Sequence, residues 1–379
     1  MRGLRIISAL LLSVFSMPFM TADPICSAPQ RIETPRIMSQ FVIPAPTEKN
    51  NRQLDNDQQK RLVIVDSDLA NWGDDSVALC MLLRSPAVRV LGVTSTSGNV
   101  WTEQANVNIL RFLQVIQHPE IAVHAGVSSG LHAERLRYYE QVEKGNWAKG
   151  SYAGALAHQL PPVIENPPGG PRNSSGSELS AVDFIIEQAR RYRGQVTLLL
   201  FGPATNLAAA LRKDPRLAKN LGQVLMSGGA LRVPGNATKM AEFNFWFDPE
   251  SANAVLRAGL PLTLLPLDAT EGKSFDEEMT KFFEKGQSPI EKYLNQYFEQ
   301  RSERRKGRPI PIWDEALAGV FLNPRIILSA KRESIRVVLN HSPHYGASRR
   351  SPGKRDRLQK VIYQVDTTAL HNTIYQLFR

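Results

Sequence analysis

Six apolar runs, at 61–66, 88–95, 121–125, 196–201, 223–227 and 261–267, alternate along this chain with helical patterns at 75–84, 103–117, 179–192, 204–213 and 249–258. Most of the runs are too continuous for strands with one wet face, so each reads as a strand covered on both sides. Strands of that kind alternating with helices predict an α/β fold, a mostly parallel central sheet with helices on both faces, in a single domain. In such sheets ligands bind beyond the carboxyl ends of the strands. The polar residues that could do chemistry sit at those ends: Asp66 and Asp68, Ser97 to Asn99, Gly202 to Asn206, Ser227 to Gly229, and Asp268. Scattered in sequence, they are expected to converge on one crevice.

The first of these ends is the most loaded. Residues 62–79 read LVIVDSDLANWGDDSVAL, with Asp66, Asp68, Asp74 and Asp75 where an apolar strand gives way to a helix. Asp66 and Asp68, two apart, share one face of the strand end, and Asp74 and Asp75 fall in the first helical turn, where negative charge meets the helix dipole. Four acids this close repel one another unless a hard divalent cation takes their oxygens as ligands. Taken alone, the motif reads equally well as a solvated acidic loop with an N-cap.

The ends of the 379-residue chain bear on compartment. Residues 1–20 carry two arginines and then a short apolar stretch interrupted by Pro18, the pattern of an export signal. We expect 1–28 to be a signal peptide, 29–60 a flexible Pro-, Asn- and Gln-rich linker, and 61–379 the catalytic domain, periplasmic or secreted, with no membrane span after signal removal. Two cysteines supply no disulfide framework. The segment 161–178 reads as a surface insertion. The net charge of +10 is concentrated in runs such as 301–308 and 349–357, which read as solvated basic surface rather than a nucleic-acid site.

The segment DSDLANWGDD resembles the N-terminal aspartate signature of the nucleoside hydrolase family, the inosine-uridine-preferring and purine-specific N-ribohydrolases, in a lengthened form. The resemblance continues through GNVWTEQANVN (98–108), FGPATNL (201–207), VLMSGGA (224–230), VPGNATKMAEFNFWFDPESA (233–252) and IWDEALAG (312–319), in family order. It implies the Rossmann-like fold of that family, a small-molecule nucleoside substrate and a Ca²⁺ cofactor. Asp68, Asp75, Asp314 and the backbone carbonyl of Thr205 would hold the ion. Asp74 and Asn99 would hold the ribose hydroxyls, and Asn236, Glu242 and Asn244 the rest of the sugar, beside Asp314. Asp68 would also take the proton of the attacking water, and positive charge developing on the sugar would be stabilised by the surrounding oxygens.

The leaving-group side departs from many relatives, which carry His-Asp where this chain has Trp313-Asp314. Trp313 resembles the purine-specific branch, in which two tryptophans sandwich the base; Trp147, upstream of Gly154, is the second candidate, and Trp72 and Trp246 compete for the role. The implied activity is calcium-dependent hydrolysis of ribonucleosides, purine preferred, to ribose and free base. The alternatives are a pyrimidine or broad-specificity hydrolase, or a catalytically silent nucleoside- or sugar-binding protein, with a homo-oligomer possible in each case. Ala70-Asn71 replaces a commoner Gly-Asn, which leaves Asn71 as the residue expected to tolerate positive φ. The segment 274–312 could fold over the crevice as a lid or stand as a fixed helical excursion.

Overall fold

The computed structural model describes residues 60–166, 176–351 and 357–379. The expected signal peptide, 1–28, lies outside the described residues, as does the linker up to residue 59. Strand β1, Arg61–Ser67, is buried along nearly all its length and is flanked in parallel by β2, Val88–Ser95, and β4, Val196–Leu200. Beyond them lie β3, Val123–His124, on one side, and β5, Gln223–Ser227, and β6, Leu262–Leu265, on the other. The helices between and after these strands are α1, Asp75–Arg84; α2, Thr102–Val115; α3, Ala181–Arg191; α4, Thr205–Lys213; α5, Phe243–Phe247; α6, Pro249–Arg257; α7, Pro289–Arg305; and α8, Asp314–Leu322. Two further strands, β7, Ile327–Glu333, and β8, Gln359–Val365, precede a closing helix α9, Thr367–Phe378.

The eight strands run in the order β3-β2-β1-β4-β5-β6-β8-β7, parallel except for β7 at the edge. The period of two along β1 sorts its side chains between two cores. Val63 and Val65 join a cluster with Val77 of α1, Ile109 of α2 and Leu317 of α8, whereas Ile64 joins Phe184 of α3, Leu207 of α4 and Leu256 of α6. Helices therefore cover both faces, as the continuous apolar runs require. The strand order reverses between β1 and β4, so the connections leaving the carboxyl ends of these two paired strands run to opposite faces of the sheet and open a crevice. Asp68 follows β1 and Phe201 follows β4 at that opening.

One expectation resolves toward one of its alternatives, a fixed helical excursion, and another is revised. The segment 274–312 holds α7, whose Ile290, Tyr293, Leu294, Tyr297 and Phe298 are buried in the same core as β1. Its start is fixed by a capping box between Ser288 and Glu291 and by a proline at the first turn. It is a packed helix, with the basic end of the segment beside the aspartate loop. In that loop it is Trp72, not Asn71, that takes positive φ, at 57°. A non-glycine residue there costs about 1–2 kcal/mol. Trp72 stacks on Tyr293 of α7 with ring centroids 5.1 Å apart, and such a stack contributes about 0.5–1.5 kcal/mol, enough to offset most of that cost.

Candidate active site

A cleft opens at the switch point, where small-molecule sites of open α/β sheets form. Asp68, Asp74, Asn99, Asn236, Glu242, Asn244, Trp313 and Asp314 all line it. One end is acidic. Asp68 is buried where β1 ends, and one of its oxygens, Oδ2, accepts the Asn99 N–H at 2.6 Å. Close packing requires Gly98 here, since a Cβ at that position would lie 2.0 Å from the same carboxylate oxygen. Asp75 Oδ1 accepts the Ser67 hydroxyl at 2.6 Å, which leaves Oδ2 buried with no partner among the described residues. Oxygens of Asp74, Asp75 and Asp314 lie within 4.8 Å of one another, and all three residues are buried.

Burial and crowding show in the proton affinities. Asp68 is pushed up to about 7, first by burial and then by the charges of Asp74 and Asp66. Asp75 and Asp314 stand well above the ordinary carboxylate range, through burial and through their acidic neighbours. Asp74 is raised by burial and held back by the cation of Arg301. A divalent cation relieves this repulsion and completes the unpartnered oxygen of Asp75, so the donor set suits a hard metal ion. Asp66, one step deeper, accepts from the Thr94 hydroxyl and from Asn206 Nδ2 at 2.7 Å, and burial raises it to about 7. It supports the strand ends and does not line the cleft.

The middle of the cleft is amide-rich. Glu242 caps α5, its carboxylate accepting the N–H groups of Gly229, Asn244 and Phe245 at 2.8, 2.9 and 3.1 Å. Asn244 Nδ2 donates to the carbonyls of Phe201 and Ser227 at 2.7 and 3.2 Å, pinning its amide between the ends of β4 and β5. Asn236 Oδ1 accepts the Phe243 N–H at 2.8 Å. The side chains expected on the sugar are thus oriented by backbone groups from several elements.

The cleft also carries an aromatic wall, here called its aromatic end: Trp313, Tyr152 and Phe243 line it. Trp313 precedes α8, and its N–H donates to Glu315 Oε2 at 3.0 Å. The half-exposed Tyr152 donates its hydroxyl to Asn99 Oδ1 at 3.1 Å, and its ring lies 5.4 Å from that of Phe243. Gly154 permits this approach: it has φ +53°, a Cβ there would lie 2.4 Å from the Gly98 carbonyl oxygen, and the next N–H, of Ala155, donates to that oxygen at 2.8 Å.

Three of the tryptophans considered for the base are elsewhere. Trp147 does not line the cleft; it is half-buried against the cluster of Trp101, Tyr139 and Trp246, and Tyr152 from the same loop reaches the cleft in its place. Trp246 is fully buried beneath Arg135, and Trp72 is occupied by Tyr293. Thr205 opens α4, and its hydroxyl donates to Asp248 at 2.6 Å, on a different cavity. That contact does not involve its backbone carbonyl, the atom expected to face the ion, and Phe201, just after β4, lines the cleft. Sequence reasoning also passed over Glu315 and Arg301, whose signals were adjacency to Asp314 and four-residue spacing from Tyr293 and Tyr297.

A family model described as inosine-uridine preferring nucleoside hydrolase matches residues 63–372. Among curated relatives, the probable uridine nucleosidase 2 of Arabidopsis thaliana is 34% identical over 212 residues, 56% of this chain and 60% of that protein. The pyrimidine-specific ribonucleoside hydrolase RihA of Salmonella paratyphi B is 29% identical over 275 residues, 71% of this chain and 82% of that one. This chain therefore matches about three-fifths of the Arabidopsis protein's length and more of the bacterial one. A solved structure, the purine-preferring ribonucleoside hydrolase from Gardnerella vaginalis, superposes with a TM-score of 0.65 at 22% identity over 83% of this chain and 98% of that chain, a likeness of fold. With the matched model spanning the sheet, its helices and both ends of the cleft, the chain belongs to the inosine-uridine preferring nucleoside hydrolase family.

Proposed function

We propose that this protein hydrolyses the N-glycosidic bond of ribonucleosides, with purines preferred and Ca²⁺ as its cofactor, releasing ribose and free base outside the cytoplasm. The observation that carries the reading is a single cleft that joins a buried carboxylate cluster at one end to an aromatic wall at the other, with oriented amides between. Asp68, Asp75 and Asp314 are the residues that would hold the ion, with Asp74 beside them to receive the ribose hydroxyls. When bound, Ca²⁺ supplies positive charge that orients the sugar hydroxyls and makes a nearby water more acidic. Asp68 accepts the proton of that water as its oxygen attacks the anomeric carbon and the C–N bond electrons pass to the base. The carboxylates and the Asn236 and Asn244 amides stabilise the cationic sugar that develops. Trp313 packs on the base, where contact area favours bicyclic rings.

A pyrimidine preference is the second reading. It is favoured by the relatives named for uridine and pyrimidine substrates and by the placement of Trp147 outside the cleft, which leaves one tryptophan where a sandwich needs two. Release of reducing sugar from inosine, adenosine, guanosine, uridine and cytidine decides between them, run with EDTA and then with added Ca²⁺. Calcium-restored cleavage of the purines supports the first reading. Faster cleavage of uridine supports the second, and silence on all five nucleosides overturns both. Export is tested separately by the N-terminus of the protein recovered from outside the cytoplasm, expected to begin near residue 29.

A further inference from the structure

Helix α5 carries Phe243 and Asn244 to the cleft, where the aromatic wall meets the amide-rich middle. The start of that helix is fixed by the Glu242 cap and by the two carbonyl contacts of the Asn244 amide. Its far end is held from outside the cleft. Arg135, on the short helix Ala133–Tyr138, donates from Nη2 to the Trp246 carbonyl at 3.0 Å, and its guanidinium carbon lies 4.8 Å from the Trp246 ring centre and 5.2 Å from that of Tyr345. Its other terminal nitrogen, Nη1, donates to Glu143 Oε2 at 2.7 Å, in an ion pair whose side chains are 8% and 0% exposed. Glu143 opens the loop that leads to Tyr152. Its backbone carbonyl accepts the N–H groups of Asn146 and Ala148, each at 3.0 Å, and the Ala148 carbonyl accepts the Ser151 N–H at 3.1 Å, one residue before Tyr152. A path of hydrogen bonds thus leads from one nitrogen of Arg135 to the neighbour of Tyr152, while the other nitrogen holds the helix that bears Phe243.

We infer that Arg135 is a positioning residue for the base: through Glu143 it holds the loop of Tyr152, through the Trp246 carbonyl it holds the helix of Phe243, and so it sets the spacing of the two rings that stand 5.4 Å apart on the cleft wall. Arg135 does not line the cleft, so it acts through those rings and not on the base itself. Its planar fork suits two acceptors on different segments, which an ammonium on a flexible stem serves less well. Because the pair is buried, neither partner can turn to water instead, and parting the two segments would strand a charge. The sugar side of α5 has its own anchors at Glu242 and Asn244, so the effect of Arg135 falls on the base. This assignment rests on the reading above in which the aromatic wall receives the leaving group.

The test compares wild type with the double variant Arg135→Met/Glu143→Leu, which removes the tie without leaving a buried charge unpaired, and with Arg135→Lys. It reads amide hydrogen exchange, KM and kcat for the nucleosides that wild type cleaves, inhibition by the free base of each, and ribose affinity by calorimetry. In the double variant the Ala148 and Ser151 amides are expected to exchange about 10-fold faster or more, with the Asn244 amide unchanged. KM and the inhibition constant of the free base are expected to rise by about 10-fold, with kcat and ribose affinity within two-fold of wild type. Arg135→Lys, which keeps the charge but not the fork, is expected to recover part of the loss. Unchanged exchange at Ala148 and Ser151 overturns the inference, as does a folded double variant with KM and base inhibition within two-fold of wild type, or an equal weakening of base and sugar. Should the double variant fail to fold, Glu143→Gln, which keeps the shape and removes one charge, is read against the same outcomes. Failure of wild type to cleave any nucleoside would defeat the proposed hydrolase, while the exchange rates and the base and ribose affinities would still decide the role of Arg135.

Discussion

The two ends of the cleft are built in opposite ways. The acidic end comes almost entirely from one strand-to-helix junction: Asp68, Asp74 and Asp75 within eight residues, joined by Asp314 and by a glycine, Gly98, that the carboxylate packs against. Its members are buried, and their geometry follows from the local path of β1 and α1. The aromatic end is assembled from three separate segments, carrying Tyr152, Phe243 and Trp313, with Tyr152 half-exposed at the mouth. A junction that fixes three acids leaves little freedom for variation, whereas three separate segments can change the wall without disturbing the acids. We read the acidic end as the part that sets the reaction and the aromatic end as the part that sets the leaving group.

The largest expected effect lies at the acidic end. Asp68→Ala removes the proposed proton acceptor and is expected to lower kcat by about 10³-fold or more for every nucleoside alike, measured by sugar release. A loss confined to one base would break the division between the two ends. Stability gives a second handle on the same residues. Asp66 and Asp68 titrate near 7 in the folded chain against an ordinary value of 3.8, so between about pH 4 and pH 7 the folded, metal-free protein binds more protons than the unfolded chain. The stability from these protonated groups is therefore present below that window and declines as pH rises through it, at up to about 1.4 kcal/mol per unit for each group. The melting temperature in EDTA should fall from pH 5 to pH 8. Calcium at 100 times its Kd should add about 2.7 kcal/mol at the upper end and flatten the trend. A melting temperature in EDTA that rises over this interval would show that burial does not hold these two carboxyls in their protonated form.

The same contrast explains what the sequence discloses. The parallel sheet and the acid cluster were legible because each depends on short-range pattern: unbroken apolar runs, and carboxylates at a strand end. Strands β7 and β8 were not, since β7 reads ILSAKRE and its edge position exposes the charges that interrupt the apolar pattern. That the Thr205 hydroxyl turns to Asp248 while Phe201 lines the cleft was not legible, because residue count does not say where a loop turns. Trp147 and Tyr152 share one loop without periodicity, and what selects Tyr152 is a long-range contact between Gly154 and the Gly98 carbonyl. Arg301 hid inside a basic run, although its spacing from Tyr293 and Tyr297 marked the buried face of a helix.

At the aromatic end, Trp313→Ala is expected to cost about 10- to 100-fold in kcat/KM for purines, from lost contact area on the base, and distinctly less for pyrimidines. Equal losses for all bases would mean that Trp313 serves the fold through its neighbour Asp314, and the two ends would no longer be separable.

The smallest expected effect tests where the two ends meet. Tyr152 touches both: its ring lies beside Phe243 on the aromatic wall, and its hydroxyl donates to Asn99, whose N–H holds Asp68. Burial and the charges of Asp68 and Asp74 push its phenol up, so it remains a neutral donor throughout the working range. Tyr152→Phe keeps the ring and removes one neutral hydrogen bond, worth about 0.5–1.5 kcal/mol, which corresponds to roughly a 2- to 10-fold rise in KM. With Asn99 expected on the sugar, that rise should be the same for purines and pyrimidines. Tyr152→Ala removes the ring as well, and its additional loss should follow the size of the base. A base-dependent loss in Tyr152→Phe would place the hydroxyl itself against the leaving group and shift the boundary between the two ends to Asn99.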